Sequence, residues 1–192
     1  MTHFEFISVA MSIVFSFALL RLLDALPHAT ARASRYWIHL LWIFFLLWWS
    51  AVFWWFSWSH SRREEEIGFS AFVMLLTAPA ILYLCATALV SHAPAEIASW
   101  RRYFWASRRR FFGLALTLLA CLVATSTLLQ HTPLRHPLRL FQLGLAALFT
   151  TGMLARSERV HGVIAVIGAG FAALTVLLSL AGVIHIGLVR GS

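Results

Sequence analysis

Apolar residues run through this chain in long unbroken stretches, and polar residues gather between them. Six stretches have about the ~20 residues that a helix needs to cross ~30 Å of hydrocarbon. They lie at about residues 4–26, 37–58, 67–90, 111–129, 138–155 and 160–185. The sixth is apolar as far as Val189, longer than one crossing needs, so it is expected to tilt or to stop near Gly182. Strands of a transmembrane barrel would alternate apolar and polar positions, and these runs do not. In lipid every backbone N–H and C=O needs an internal partner, which leaves helix. The pattern therefore predicts an all-α fold: a polytopic transmembrane helix bundle of six helices, one integral-membrane domain over 1–192. Pro79 falls near the middle of the third run, and no clear repeat relates the first three runs to the last three.

Composition agrees and narrows the function classes. Hydrophobic residues are 61% and charged residues 11%, against ~45–50% and ~25% in soluble domains. The connections are short, so no appended soluble domain is expected. No basic residue precedes the first run, so it is expected to stay as a membrane segment, not to be cleaved as a signal. All 15 basic residues are Arg; without Lys there is neither Schiff-base chemistry nor a P-loop lysine. Asn is absent too. Cys85 and Cys121 lie inside apolar runs without C-x-x-C spacing. They read as packing thiols, not as a disulfide, a cluster ligand or a zinc site.

The arginines set an expected orientation. Arg21, Arg32, Arg35, Arg101, Arg102, Arg108, Arg109, Arg110, Arg156 and Arg159 belong to one side, and Arg62, Arg63, Arg135, Arg139 and Arg190 to the other. The positive-inside rule then places the first, third and fifth loops in the cytoplasm and both termini outside. An Arg-rich chain without Lys suggests a bacterial inner (plasma) membrane. The net charge of +8 sits where that rule needs it, so the lipid bilayer, not nucleic acid, is the expected partner. In the third loop Pro94 and Glu96 suit a helix start. Trp100, Tyr103, Phe104 and Trp105 then alternate with Arg101, Arg102, Arg108, Arg109 and Arg110. Rings beside guanidiniums suit lipid headgroups, and the stretch predicts a short cytoplasmic interfacial helix.

Three features could carry chemistry. The second run holds seven Trp and four Phe in 22 residues. Interface belts account for Trp37, Trp54, Trp55 and Trp58, but not for Trp48 and Trp49 at mid-membrane. Trp42, Phe45, Trp49, Phe53 and Phe56 form a stripe, which reads as a packing face or as a platform for a quinone, carotenoid or hydrophobic cation. Trp42, Trp48 and Trp49 are its ligand candidates. Arg21 and Asp24 are the one opposite-sign pair inside an apolar run, and they share a face with His28 a turn beyond. Charges within membranes are candidate gates or ligand sites, so these three join the list.

Small residues at four-residue spacing form the third feature: Ser8, Ser12 and Ser16; Gly113, Thr117, Cys121 and Thr125; Ala165, Ala169 and Ala173, with Gly168 and Ala172. Such stripes suit close helix packing or, alternatively, a narrow polar path. The nine histidines lie at segment ends or in loops. His60, His131, His136 and His185 are weak metal candidates whose spacing matches no motif. His39 and His161 are the one inner pair that could hold a b-type haem. Gly68-Phe69-Ser70-Ala71 resembles the serine motif of rhomboid proteases in part. However, the serine falls on the third run, Ala71 replaces the motif's glycine, and no Asn exists to assist.

No enzyme and no cofactor is therefore predicted, although haem, quinone and carotenoid stay open. The expected function is a non-enzymatic accessory, assembly or sensing subunit. It would pack against lipid, pigment, partner membrane subunits or a second copy. The alternative is a small channel or carrier for an ion, metal or hydrophobic cation, and a more distant one is a haem- or quinone-binding electron carrier.

Overall fold

The computed structural model describes residues 3–32, 34–57, 68–129, 131–133, 135–136 and 138–180, and their side chains except those of 3–5, 56–57 and 178–180. Six helices account for nearly all of them: α1 (His3–Thr30), α2 (Trp37–Ser57), α3 (Phe69–Leu89), α4 (Trp100–Leu128), α5 (Leu138–Leu154) and α6 (Glu158–Leu180). Five are long and apolar enough to cross a membrane, and α5 is apolar but only 17 residues, about 26 Å at 1.5 Å per residue. The chain is a multi-pass membrane protein.

Two boundaries differ from the sequence pattern. Helix α1 continues through Pro27 to Thr30, where the Thr30 hydroxyl donates to Leu26 O at 2.7 Å. The aromatic–arginine stretch is not a separate interfacial helix. After a single 3-10 turn at Pro94–Glu96, Trp100 opens α4, and Ser99 caps it by accepting from the Arg102 amide. Helix α4 has 29 residues, about 44 Å. It therefore outruns the hydrocarbon core by ~14 Å, roughly the length that carries Arg101 to Arg110.

The helices close a ring in the order α1, α3, α4, α5, α6, α2, and α2 also touches α3 and α4. The aromatic residues of α2 thus fill the middle. Trp42 is fully buried and meets Phe112, Phe45 and Phe111 edge-on at centroid distances of 5.0, 5.5 and 5.8 Å. Trp49 stacks on Phe149 at 5.5 Å. Trp37, Trp54 and Trp55 are exposed, as the interface rule predicts for them; Trp58 lies outside the described residues.

The packing seams are made of small residues, but mostly not the expected ones. The buried face of α1 is Ile7, Met11, Phe15, Ala18, Leu22, Ala25 and Ala29, a three-and-four spacing whose alanines let α3 approach. Ser16 is exposed. On α4, Gly113 and Cys121 are half-buried and Thr117 is exposed, leaving only Thr125 of that stripe in the core. On α6 the expectation holds for Ala165 and Gly168, both buried. A β-carbon at Gly168 would sit 3.5 Å from the Phe45 ring, and one at Gly162 would sit 3.0 Å from Trp37. Both cysteines are free, Cys85 buried and Cys121 half-buried.

Candidate functional site

Helices α1, α3 and α5 all end at the Arg-rich end of the bundle. A helix leaves its last carbonyls without intrahelical partners, and in lipid such groups are costly. Three buried aromatic donors answer this. Trp100 Nε1 donates to His28 O of α1 at 3.1 Å. His39 Nε2 meets Leu89 O of α3 at 2.8 Å, and His161 Nε2 meets Ala155 O, just past α5, at 3.2 Å. A carbonyl can only accept, so in both histidines Nε2 carries the proton. Trp100 also stacks on His39 at 4.7 Å. Phe104 lies edge-on to both imidazoles, at 6.3 and 5.4 Å. The two rings thus serve helix ends and do not face each other as haem ligands would.

This end also holds most of the expected headgroup residues. Trp100 is fully buried, so it faces α1 and α2 and not a headgroup. Trp105 is half-buried beneath the Arg108 guanidinium, 4.7 Å from the ring centre. Arg108 reaches inward, donating to Trp105 O at 3.0 Å and to Ala155 O at 3.4 Å. Arg101, Arg102, Arg109 and Arg110 are exposed. Arg101, Arg102 and Arg156 border an open depression with Glu158, and Arg101 pairs with Glu158 at 2.7 Å. An exposed pair of this kind contributes little. Arg101→Ala is accordingly expected to leave the unfolding midpoint in detergent unchanged, and a clear loss would mean that the pair is shielded.

Arg21 and Asp24 do not pair. Asp24 is exposed and Arg21 half-buried, with Nε and Nη2 enclosed and unpartnered. His28 contributes its carbonyl, while its side chain is exposed. His131 and His136 are exposed in the α4–α5 connection, where His136 Nδ1 accepts from the Leu138 amide at 3.2 Å. His60 and His185 lie outside the described residues. Among the described residues no group of three or more His, Cys, Asp or Glu could hold a metal.

The opposite end carries a site that the sequence pattern did not single out. Arg139, one residue into α5, is only 8% exposed. Its Nη1 donates to Ser126 Oγ at 2.9 Å and to Gln142 Oε1 at 2.8 Å. Its Nη2 donates to Thr127 Oγ1 at 2.8 Å and to Thr132 O at 3.0 Å. Nε is enclosed without a partner. All four acceptors are neutral. Beside this cluster a cavity of about 180 Å³ opens between α2, α4 and α5, lined by Trp48, Trp49, Phe53, Phe141, Ser126 and Gln142 among others. Two of the aromatic ligand candidates, Trp48 and Trp49, therefore face this cavity, whereas Trp42 is sealed behind the neighbouring rings. In sequence Arg139 counted only as one of five arginines on the sparser side. The missed signal was its i, i+3 partner Gln142, inside an apolar run.

No protein-family model, curated protein or solved structure matches the chain.

Proposed function

We propose that this is a non-enzymatic integral membrane protein that acts as an accessory, assembly or sensing subunit. Its place is the inner membrane of a bacterium, with the Arg-rich end in the cytoplasm and both termini outside. The observation that supports this over a channel is the state of the hydroxyls. Ser12 donates to Ser8 O at 2.6 Å, Ser16 to Ser12 O at 2.7 Å, Thr117 to Gly113 O at 3.1 Å and Thr125 to Cys121 O at 2.9 Å. Each is bonded back to its own helix, and the centre of the ring is closed by Trp42, Phe112 and Phe149. A polar path would turn those hydroxyls toward water. The outer surface supports packing against lipid or partner helices: Phe6, Val9, Ile13, Phe17 and Leu20 make an exposed stripe along α1, and Val163, Val166 and Ile167 lie exposed on α6.

The test is reconstitution of the purified protein alone into liposomes loaded with an ion-sensitive or metal-sensitive dye. The expected result is leak no greater than in empty liposomes. A specific, saturable flux would overturn the reading in favour of a channel or carrier. An absorption spectrum of the same preparation tests the haem form of the electron-carrier alternative, since haem would show strong visible bands.

A further inference from the structure

We infer that the cavity between α2, α4 and α5 is a binding site for an anionic acyl lipid. Its head would lie at Gln142 and Arg139, and its chain would run along Trp48, Trp49 and Phe53.

Arg139 carries a permanent charge, and among the described residues no carboxylate pairs with it, so its burial is costly. Closing the α4–α5 turn does not require that charge. The acceptors are hydroxyls, an amide and a carbonyl, which a neutral donor could serve. The charge nonetheless lies behind a cavity wall. Gln142 connects the two. Arginine has no acceptor, so the oxygen of the Gln142 amide must be the atom turned toward Nη1, at 2.8 Å. The amide nitrogen then points away from Arg139. Gln142 is 9% exposed, lines the cavity, and makes no hydrogen bond through that nitrogen to any described residue. Ser126, the other polar lining residue, already donates its proton to Val123 O at 2.9 Å. Of the residues that line the cavity at this end, the free donors are thus the two N–H bonds of Gln142, with a guanidinium charge behind them whose Nε is also unpartnered. The polarity selects a ligand head that accepts hydrogen bonds and is negative.

The rest of the lining selects an apolar body. Beyond Ser126 and Gln142 the wall consists of Trp, Phe, Leu and Val. Depth fits as well. Ser126 lies in the last turn of α4 and Arg139 in the first turn of α5, helix ends that a membrane-crossing bundle places near the headgroups. Trp48 and Trp49 lie near the middle of α2, and Leu119 and Leu145 are further from the turn on their own helices. The polar end is thus at the membrane rim and the apolar end toward the midplane, the orientation that a lipid adopts. A volume of 180 Å³ takes only part of a chain, and the rest would leave between the helices into the bilayer.

The full-length protein in a neutral detergent is titrated with three probes: dibrominated oleate, dibrominated phosphatidylglycerol and dibrominated phosphatidylcholine. Bromine quenches nearby Trp fluorescence. The expected result is saturable quenching, near one probe per protein, by at least one anionic probe. Phosphatidylcholine should bind tenfold or more weakly. Arg139→Gln, which removes the charge but keeps donors, should weaken anionic binding tenfold or more. Val52→Phe, which narrows the cavity away from the charged cluster, should do the same and keeps the question decidable if the arginine variant does not fold. Which anionic probe binds tells whether the source is a free fatty acid or a bilayer phospholipid. Equal quenching by all three probes, no saturable binding of either anionic probe, or unchanged binding in folded Val52→Phe would each overturn the assignment. None of these outcomes depends on the liposome flux result.

Discussion

Replacing Gly152 with alanine is expected to destabilise the bundle, although the same change in an exposed helix would stabilise it by up to about 1 kcal/mol. Gly152 is buried in the last turn of α5. A β-carbon there would lie 2.5, 2.6 and 2.7 Å from three carbons of the Phe112 ring. That ring cannot swing aside. It is fully buried, with Trp42 edge-on at 5.0 Å, Phe111 at 5.0 Å and His161 at 5.8 Å. Overpacking of a closed core costs about 1–3 kcal/mol, so the net sign reverses. Gly152→Val should be worse. Unfolding of detergent-solubilised protein by heat or by added dodecyl sulfate reads the effect. In Gly152→Ala/Phe112→Leu the smaller side chain makes room, so the pair should lose less than the sum of the single changes. A Gly152→Ala protein as stable as the parent would mean that α4 and α5 are not in such close contact.

Gly152 also shows where sequence reasoning ran out. Helix number, class and approximate bounds were legible because lipid imposes one rule on every residue of a crossing segment, and a run of 20 apolar residues records it. Which face of each helix turns inward was not legible. Both environments are apolar, so hydrophobicity does not separate the α1 seam of Ala18, Ala25 and Ala29 from the outward stripe of Val9, Ile13 and Phe17. The regular serine spacing drew attention to Ser8, Ser12 and Ser16, but the hydroxyls of Ser12 and Ser16 satisfy themselves on their own helix and need no neighbour. The third-loop aromatics were readable as a group near the membrane surface. The role of Trp100 was not, because it depends on where α1 ends, three residues beyond Pro27.

The polar sites follow the same division. His39 and His161 are visible in sequence as residues near segment ends. Their partners, Leu89 O at the end of α3 and Ala155 O just past α5, are backbone atoms distant in sequence or in the loop, and no side-chain motif records them. Arg139 is hidden for a different reason. Rules that count arginines by loop treat each as a surface charge, and nothing in its own identity says that it folds under the α4–α5 turn. The neighbours that hold it, Ser126, Thr127 and Gln142, are ordinary residues until the turn brings them together. The aromatic density of α2 was the feature best read in advance. The structure divides it between a sealed centre at Trp42 and a cavity wall at Trp48 and Trp49.

Trp42→Ala is expected to produce the largest loss of any single change on α2, about 3–5 kcal/mol, whereas Trp55→Ala, at a residue 58% exposed, should change little. The physics differs from that of a soluble core. Lipid tails are as apolar as leucine, so moving Trp42 from lipid into the bundle gains little by transfer. What alanine would forfeit is contact: edge-on pairs with Phe45, Phe111 and Phe112, each worth about 0.5–1.5 kcal/mol, and the filling of a space that no neighbour can close. Trp42→Phe should cost much less than Trp42→Ala. It keeps a ring against the same partners, and it removes an indole N–H that is enclosed without an acceptor. The measurement is the same unfolding titration, and it bears on function as well as on fold. A Trp42→Ala protein as stable as Trp55→Ala would show that the centre of the ring is loosely filled. Water could then enter it, and the case for a conducting path would return. A large loss fits a closed body whose working surfaces are its lipid-facing helices and the cavity beside Arg139.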